Sequence, residues 1–436
     1  MTAADGAEVR QTATASRGGP QLLRPFRVRD FRFLFTGESI SVLGDHFHFV
    51  ALAWLTLQLT GSGLALGSVL MVAAIPRAIF LLLGGALSDR WSPRSLMLYS
   101  NAIRAVLVGI VAFLVLTEQA ELWQLFVMAG IFGVVDALFY PAMSAILPML
   151  VDEETLPPAN ALMQGSQQFA GLIGPALAGL VIAVIQTGPA FVFDAVSFAI
   201  ATVALFFVVG GRRAPKHGED GRSDAAPSVL STIRAGFGYA WSDPAVRSLI
   251  FLTAAFNFGF TGPLSVGLPY MADHTLGGGS ATFGILLSAF GAGALVGAVV
   301  AGSIARVPRL GLVVLLIAIG LGLGLGLLGV APSVAIAFGL LATMGIGAGF
   351  INVHVVSWLQ GRTAEDMRGR VMSLVMLGSI GLAPFSYAVA GLIVDFGPVP
   401  LMFGAAGAIV IVASLVGLAS GVAGRMTYAP QSEEAS

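Results

Sequence analysis

Long apolar runs separated by short polar junctions dominate this chain. A helix needs roughly 20 apolar residues to cross a hydrocarbon core, and runs of that kind recur from residue 31 to residue 423. They predict twelve spanning helices, at 31–59, 64–88, 95–117, 122–150, 156–186, 189–210, 246–272, 281–305, 309–330, 332–360, 367–395 and 398–423. Gly, Pro, Ser or charged residues punctuate every junction, as turns require. Most junctions are short, so consecutive helices run antiparallel. The one long connection, 211–245, carries Arg212, Arg213, Lys216, Arg222 and Arg234 and ends in a predicted surface helix from Ile233 to Trp241. Residues 1–24 have no apolar periodicity and read as a disordered tail, and 424–436 form a second tail. The basic cluster Arg24, Arg27, Arg29 and Arg32 precedes an apolar span too long for the core of a cleaved signal peptide. The expected units are thus 25–210 and 246–423, six helices each, joined by the 211–245 linker.

Composition turns that pattern into a class. The chain is 56% hydrophobic and only 10% charged, against about 25% charged in soluble domains. It lacks the polar residues to cover a water-facing surface, so the bilayer is its solvent. The 56 glycines suit closely packed membrane helices, and the 21 prolines suit kinked helices that line cavities. With no cysteine there is no disulfide, thiolate metal site or cysteine nucleophile. Five histidines without close i,i+4 pairs give no metal signal. The string Gly320-x-Gly322-x-Gly324-x-Gly326 lies inside an apolar span and lacks the Lys-Ser/Thr of a phosphate loop. No nucleotide domain or other cofactor is therefore expected, and energy must come from an ion gradient.

Charge placement gives an orientation. Of the 22 Lys and Arg residues, Arg77 and Arg104 lie within spans. With the N-terminus in the cytoplasm, all the others fall on or at the cytoplasmic side. The opposite loops show Glu118, Glu121, Asp273 and His274. This positive-inside asymmetry puts both termini in the cytoplasm and explains the basic loops without a nucleic-acid partner. The halves also repeat at an offset of roughly 212 residues, as parallel-repeat transporters do. Glu153-Glu154 matches Glu365-Asp366, Gly179-Leu180-Val181-Ile182 matches Gly391-Leu392-Ile393-Val394, Gly133 matches Gly345, and Asp45 falls opposite Asn257. Such repeats place a substrate site near the midplane, between the halves.

Several stretches point to a family. Gly85-x-Leu87-x-Asp89-Arg90-x-x-x-Arg94, between spans 2 and 3, resembles the signature loop of the major facilitator superfamily, with Ser92-Pro93 in place of the usual glycine-plus-basic pair. Gly44-Asp45 before Val50-Ala51-Leu52-Ala53-Trp54-Leu55, Pro76-Arg77 in span 2, Leu156-Pro157-Pro158-Ala159-Asn160-Ala161-Leu162 opening span 5, and Arg368-Gly369-Arg370-Val371-Met372-Ser373 opening span 11 narrow the resemblance. Together they are similar to the exporter branch of enterobactin-type siderophore exporters and macrolide-efflux proteins, over residues 25–425. The resemblance implies an all-α integral membrane protein with twelve transmembrane helices in two pseudo-symmetric six-helix bundles, alternating access and proton-driven export. The second-half loop, Arg306-Val307-Pro308-Arg309, departs from the signature by lacking the acid.

In the resembled fold, loop 2–3 meets the start of span 11 when the cytoplasmic side closes. That implies a latch of Gly85, Asp89, Arg90 and Arg94 with Arg368 and Arg370, the acid facing both a cation and a helix N-terminus. The pseudo-symmetric contact implies a second latch of Arg306 and Arg309 with Glu153 and Glu154. Ordinary solvation of these loops is the competing reading.

Ionisable residues inside spans are costly and mark function by default. At about 1.5 Å per residue, Asp45, Arg77 and Asp136 stand near the midplane of spans 1, 2 and 4. Spans 1 and 4 line the cavity of the resembled fold, so both acids are candidate proton carriers, with Asp45 favoured. Arg77 either tunes one of them or forms a permanent packing pair with it. Glu38 shares the Asp45 face and reads as a residue snorkelling to the interface. Arg104 reads as structural. His46 and His48 flank Asp45 and cannot both share its face. Asn257, Asn352, His354, Gln164, Gln167 and Gln168 either bind substrate or join helices. Phe47, Phe49, Phe139, Tyr140, Phe256, Phe258 and Phe260 are candidates for an apolar pocket.

The leading expectation is thus a monomeric secondary transporter in a bacterial cytoplasmic membrane that exports a small amphiphilic molecule against protons. A lysophospholipid carrier, an importer and a non-transporting sensor or scaffold are the alternatives. A scaffold has no need of the midplane charges, and no catalytic cluster suggests an enzyme.

Overall fold

The computed structural model describes residues 21–88, 91–210, 238, 241, 242, 244–304, 307–363, 371, 375, 378, 381–421, 424 and 426. Among these, the apolar runs form α1 (Arg29–Thr60), α2 (Gly63–Ser88), α3 (Pro93–Leu116), α4 (Leu122–Leu150), α5 (Leu156–Ile185) and α6 (Thr187–Phe207) in the first half. The second half has α7 (Pro244–Gly262), α8 (Gly279–Ser303), α9 (Leu310–Leu328), α10 (Val334–Arg362), α11 (Ala383–Phe396) and α12 (Val399–Ala419). Eleven of these are long and apolar enough to cross a membrane. The described part of α11 is shorter, because much of the 367–395 span lies outside the described residues. The expected surface helix at 233–241 also falls largely outside them.

Local sequence sets the helix ends. α1 stops at Gly61, whose φ of 63° is the left-handed conformation that glycine adopts without strain. Ser62 then opens α2 by accepting the Ala65 N–H at 3.0 Å. Ser92 caps α3 by accepting from Ser95, with Pro93 at the first helical position. Asp152 accepts the Thr155 N–H at 2.9 Å ahead of α5, and those hydrogen bonds hold its carboxyl below the usual carboxylate range. The tail expected to run to residue 24 is shorter. Gln21–Arg27 form a 3-10 helix, with Phe26 packed edge-on against Phe31 and Phe35.

α7 departs from a plain helix. It continues past Gly262 through two π turns, Pro263–Gly267 and Met271–Thr275, separated by Leu268–Tyr270. Wide turns of this kind concentrate at functional positions.

Glycines carry the helix contacts, because apolar side chains gain little from one another in lipid and close backbone approach is what remains. A Cβ on Gly133 of α4 would strike the Ala73 carbonyl of α2, and one on Gly345 of α10 would strike the Phe290 carbonyl of α8. The internal repeat is visible here as equivalent contacts. It also builds the seam between the halves. Gly67 of α2 lies on the Tyr387 carbonyl and Gly391 of α11, and Gly284 of α8 lies on the Pro175 carbonyl and Gly179 of α5. Both crossings sit at the end away from the chain termini, the far end. The termini and the basic loops mark the opposite, basic end.

Candidate functional site

Between the halves lies a cavity of about 640 Å³. Phe49, Leu52, Leu70, Phe132, Phe139 and Tyr140 supply apolar wall, and Asn257, Thr261, Ala383 and Tyr387 form the second-half side. It reaches Ser144 and Gln167 toward the basic end, and both are exposed there. At the far end the halves are joined. Besides the glycine crossings, Ser280 donates to the Gly179 carbonyl at 3.1 Å, and the Ala176 N–H donates to Ser288 at 3.0 Å. The Asp395 carboxylate, at the end of α11, accepts from Ser62 Oγ at 2.5 Å, Gly63 N–H at 2.6 Å and Leu64 N–H at 3.2 Å. A carboxylate of one half thus caps a helix N-terminus of the other, where both orphan donors and the helix dipole favour it. Among the described residues the cavity is therefore open to the basic end and closed to the far end.

The charged wall belongs to the first half. Asp136 on α4 is held by two guanidinium groups: Arg104 of α3 in direct contact, and Arg77 of α2 at 3.7 Å. Arg104 is buried in an aromatic cage, 4.5 Å from the Phe139 ring centre, 5.2 Å from Phe132 and 5.4 Å from Phe198. Arg77 lies 4.9 Å over Tyr140. Such stacking offsets part of the cost of burying a cation. Asp45 on α1 faces the cavity half-buried. Among the described residues it makes no hydrogen bond or ion pair, although Asp136 and Arg104 share its cavity.

Several sequence readings are corrected. Arg104, read from the sequence as structural, is buried in the charged cluster against Asp136. Glu38 does not snorkel to the interface. It is buried in the cavity wall and accepts from Asn101 Nδ2 at 3.2 Å. His46 turns away from the cavity into the α1–α5 contact, against Gly171 and Gly174. Gln164 is exposed outside the cavity, and Gln167, one turn on, takes the lining position. Asn352 is exposed and His354 is buried 4.6 Å from Phe350, and neither lines the cavity. Of the aromatic candidates, Phe49, Phe139 and Tyr140 line it. Phe47 packs on Phe193, and Phe256 stacks on Phe260.

The expected latch residues are mostly out of view. Asp89, Arg90, Arg306, Arg368 and Arg370 lie outside the described residues, and Gly85 lies in the last turn of α2. Arg94 donates to the Leu205 and Phe206 carbonyls of its own half, at 2.9 and 2.8 Å, at the end of α6. Glu154 faces Arg24 at 3.9 Å rather than Arg309. The structure also shows two acids that the sequence reading passed over, Asp194 and Asp395. Each stands alone in or at the edge of an apolar span, which was the available signal.

Comparison with known proteins agrees with this geometry. The pattern described as the Major Facilitator Superfamily matches residues 34–386. Macrolide efflux protein A of Streptococcus pyogenes is 22% identical over 352 residues, 80% of this chain and 85% of that one. The multidrug efflux pump Tap of Mycobacterium bovis is 24% identical over 413 residues, 90% of this chain and 94% of that one. Among solved structures, a POT family transporter in complex with 5-aminolevulinic acid superposes with a TM-score of 0.70 at 16% identity, covering 92% and 97% of the two chains. A bacterial homologue of the iron transporter ferroportin, in its inward-facing state, gives 0.63 at 19% identity, covering 90% and 98%. By its matched sequence, its twelve-helix duplicated architecture and its central cavity, this multi-pass membrane protein belongs to the major facilitator superfamily of transporters.

Proposed function

We propose that the chain exports a small amphiphilic molecule from a bacterial cytoplasm in exchange for protons, with its basic end and both termini in the cytoplasm. The carrying observation is Asp45, a cavity-facing carboxylate that makes no ion pair among the described residues, whereas the neighbouring Asp136 is paired with Arg77 and Arg104. A carboxylate left unsatisfied in a low-dielectric site is stabilised either by a proton or by a cationic substrate group. Only one of these fits at a time, and that exclusion is what exchange requires. Asp136 is already engaged by Arg77 and Arg104, so its role in this reading is to hold those cations in the wall. The efflux names of the relatives and the basic residues at one end support the direction and the orientation.

The two basic-end latches complete the cycle as part of this proposal. Asp89 with Arg368 and Arg370, and Arg306 and Arg309 with Glu153 and Glu154, close the cytoplasmic side once the far-end seam has parted. Separation of Glu154 from Arg309 is compatible with a form in which that side has not closed.

The test is uptake of erythromycin and of ethidium into proteoliposomes across an imposed pH gradient. The expected result is gradient-dependent uptake of at least one probe by the native chain, lost in Asp45→Asn. Uptake by the native chain that ignores the gradient, or an Asp45→Asn variant that still couples to it, overturns the proton-exchange reading.

A further inference from the structure

Behind the Asp45 wall lies a second acid that the exchange reading does not use. Asp194 of α6 is wholly buried. Its Oδ2 lies 2.9 Å from His48 Nδ1, and its Oδ1 has no hydrogen-bond partner among the described residues. His48 lines the cavity, its ring stacked 4.6 Å from Phe132 at an interplanar angle of 11°. The imidazole therefore stands as a partition, with the carboxylate on one side and the cavity on the other.

A buried carboxylate is expensive unless paired and hydrogen-bonded. An amide or hydroxyl would join α1 to α6 at far lower cost. Phe191 of α6 supplies packing at the same place without any charge, its ring 5.9 Å from the His48 ring. What an acid adds is a fixed negative charge beside an imidazole, the side chain that changes charge in the physiological range. His48 also lies three residues after Asp45, on the same face of α1.

We infer that the His48–Asp194 pair is a second proton-carrying site of the transport cycle, exchanging its proton with the cavity and coupled to Asp45 across one helix turn. In this arrangement Nδ1–H donates to Asp194 throughout, and the exchangeable proton resides on Nε2. Unloading breaks the Nε2–H bond, leaves the electron pair on the ring and passes the proton to cavity water. The groups that bear on this equilibrium are Asp45 and Glu38 from α1, Arg77 from α2, Arg104 from α3, Asp136 from α4 and Asp194 from α6. The acids favour the imidazolium. The guanidinium groups oppose it, and so does a cationic group seated at Asp45, which links substrate loading to proton release.

The inference rests on the proton-exchange reading, and the experiment separates the two. The chain has no cysteine, so spin labels can be placed at the far end on opposite halves, at Gln119→Cys and Val330→Cys. The ratio of far-end-closed to far-end-open populations is then read by pulsed-dipolar spectroscopy across pH, with no substrate present. Each proton taken up in one state and not the other changes that ratio by up to about tenfold per pH unit. Asp45→Asn is expected to lower the slope but keep one proton's worth. Asp45→Asn with His48→Gln is expected to abolish it. Asp194→Asn, which preserves shape, should lower the slope as His48→Gln does, and it carries the test if His48→Gln does not accumulate as folded protein. A residue that merely packs α1 on α6 would move the ratio without changing its slope. A flat Asp45→Asn profile, or an unaltered slope in His48→Gln and Asp194→Asn, overturns the inference and leaves proton exchange standing. A flat profile in the native chain overturns both.

Discussion

Removing the Asp395 carboxylate should tilt the protein toward its far-end-open form. That group accepts three hydrogen bonds from the other half, from the Ser62 hydroxyl and the Gly63 and Leu64 amides. It does so at an exposed position, where water competes for the same donors. Side-chain caps on a helix N-terminus are worth about 0.5–2 kcal/mol. A mid-range figure of about 1.4 kcal/mol corresponds to a tenfold change in an equilibrium constant. α2 itself survives the loss, because Ser62 accepts from Ala65 in its own half. The Asp395→Ala variant, labelled at Gln119→Cys and Val330→Cys, should therefore show about tenfold more of the long far-end distance than the native sequence. Asp395→Asn, which keeps one acceptor oxygen without the charge, should fall between the two. An unchanged distance distribution in Asp395→Ala would refute the assignment of latch energy to this carboxylate and leave the seam to the glycine crossings and the Ser280 and Ser288 hydrogen bonds.

Two further outcomes follow from named contacts. Gly284→Ala places a methyl group against the Pro175 carbonyl and Gly179, and overpacking of that kind costs about 1–3 kcal/mol. The far-end-open population should rise in the same distance measurement, whereas Gly320→Ala, which meets nothing within 4 Å, should leave it unchanged. At the basic end, Asp89→Arg should impair probe transport, and combining it with Arg368→Asp and Arg370→Asp should partly restore it. Absence of rescue at normal expression would reduce Asp89 to a folding role.

The spans were legible because a bilayer-crossing helix writes itself as an uninterrupted apolar run. The duplication was legible because close backbone crossings demand glycine at fixed spacing, as at Gly133 with Gly345 and Gly179 with Gly391. Depth could be counted along the chain, which brought Asp45, Arg77 and Asp136 correctly to the cavity. Direction around each helix could not be counted the same way. Successive residues turn by about 100°, so a small error in helix phase separates a lining position from an outer one. That is why Gln164 and Gln167 read alike in the sequence although Gln167 lines the cavity, and why His46 and His48 do as well. Arg104 and Glu38 were misjudged for a different reason. Their burial depends on Phe132, Phe139, Phe198 and Asn101, which reach them from helices distant in the chain. Asp395 acts across a gap of more than three hundred residues, and no local pattern records such a contact.

The π turns of α7 carry a record of the duplication itself. Gly133 of α4 and Gly179 of α5 keep the common offset to Gly345 and Gly391, but Gly67 and Gly284 stand about five residues further apart than that repeat. The difference falls between Asn257 and Gly284, the stretch where Pro263–Gly267 and Met271–Thr275 widen. A π turn holds an additional residue without breaking the helix, so the two turns take up two of the extra residues between Asn257 and Gly284. Residues that would throw the Gly284 crossing out of register are thus taken up in part as wide turns. The first copy, with its unbroken α1, has no such turns among the described residues.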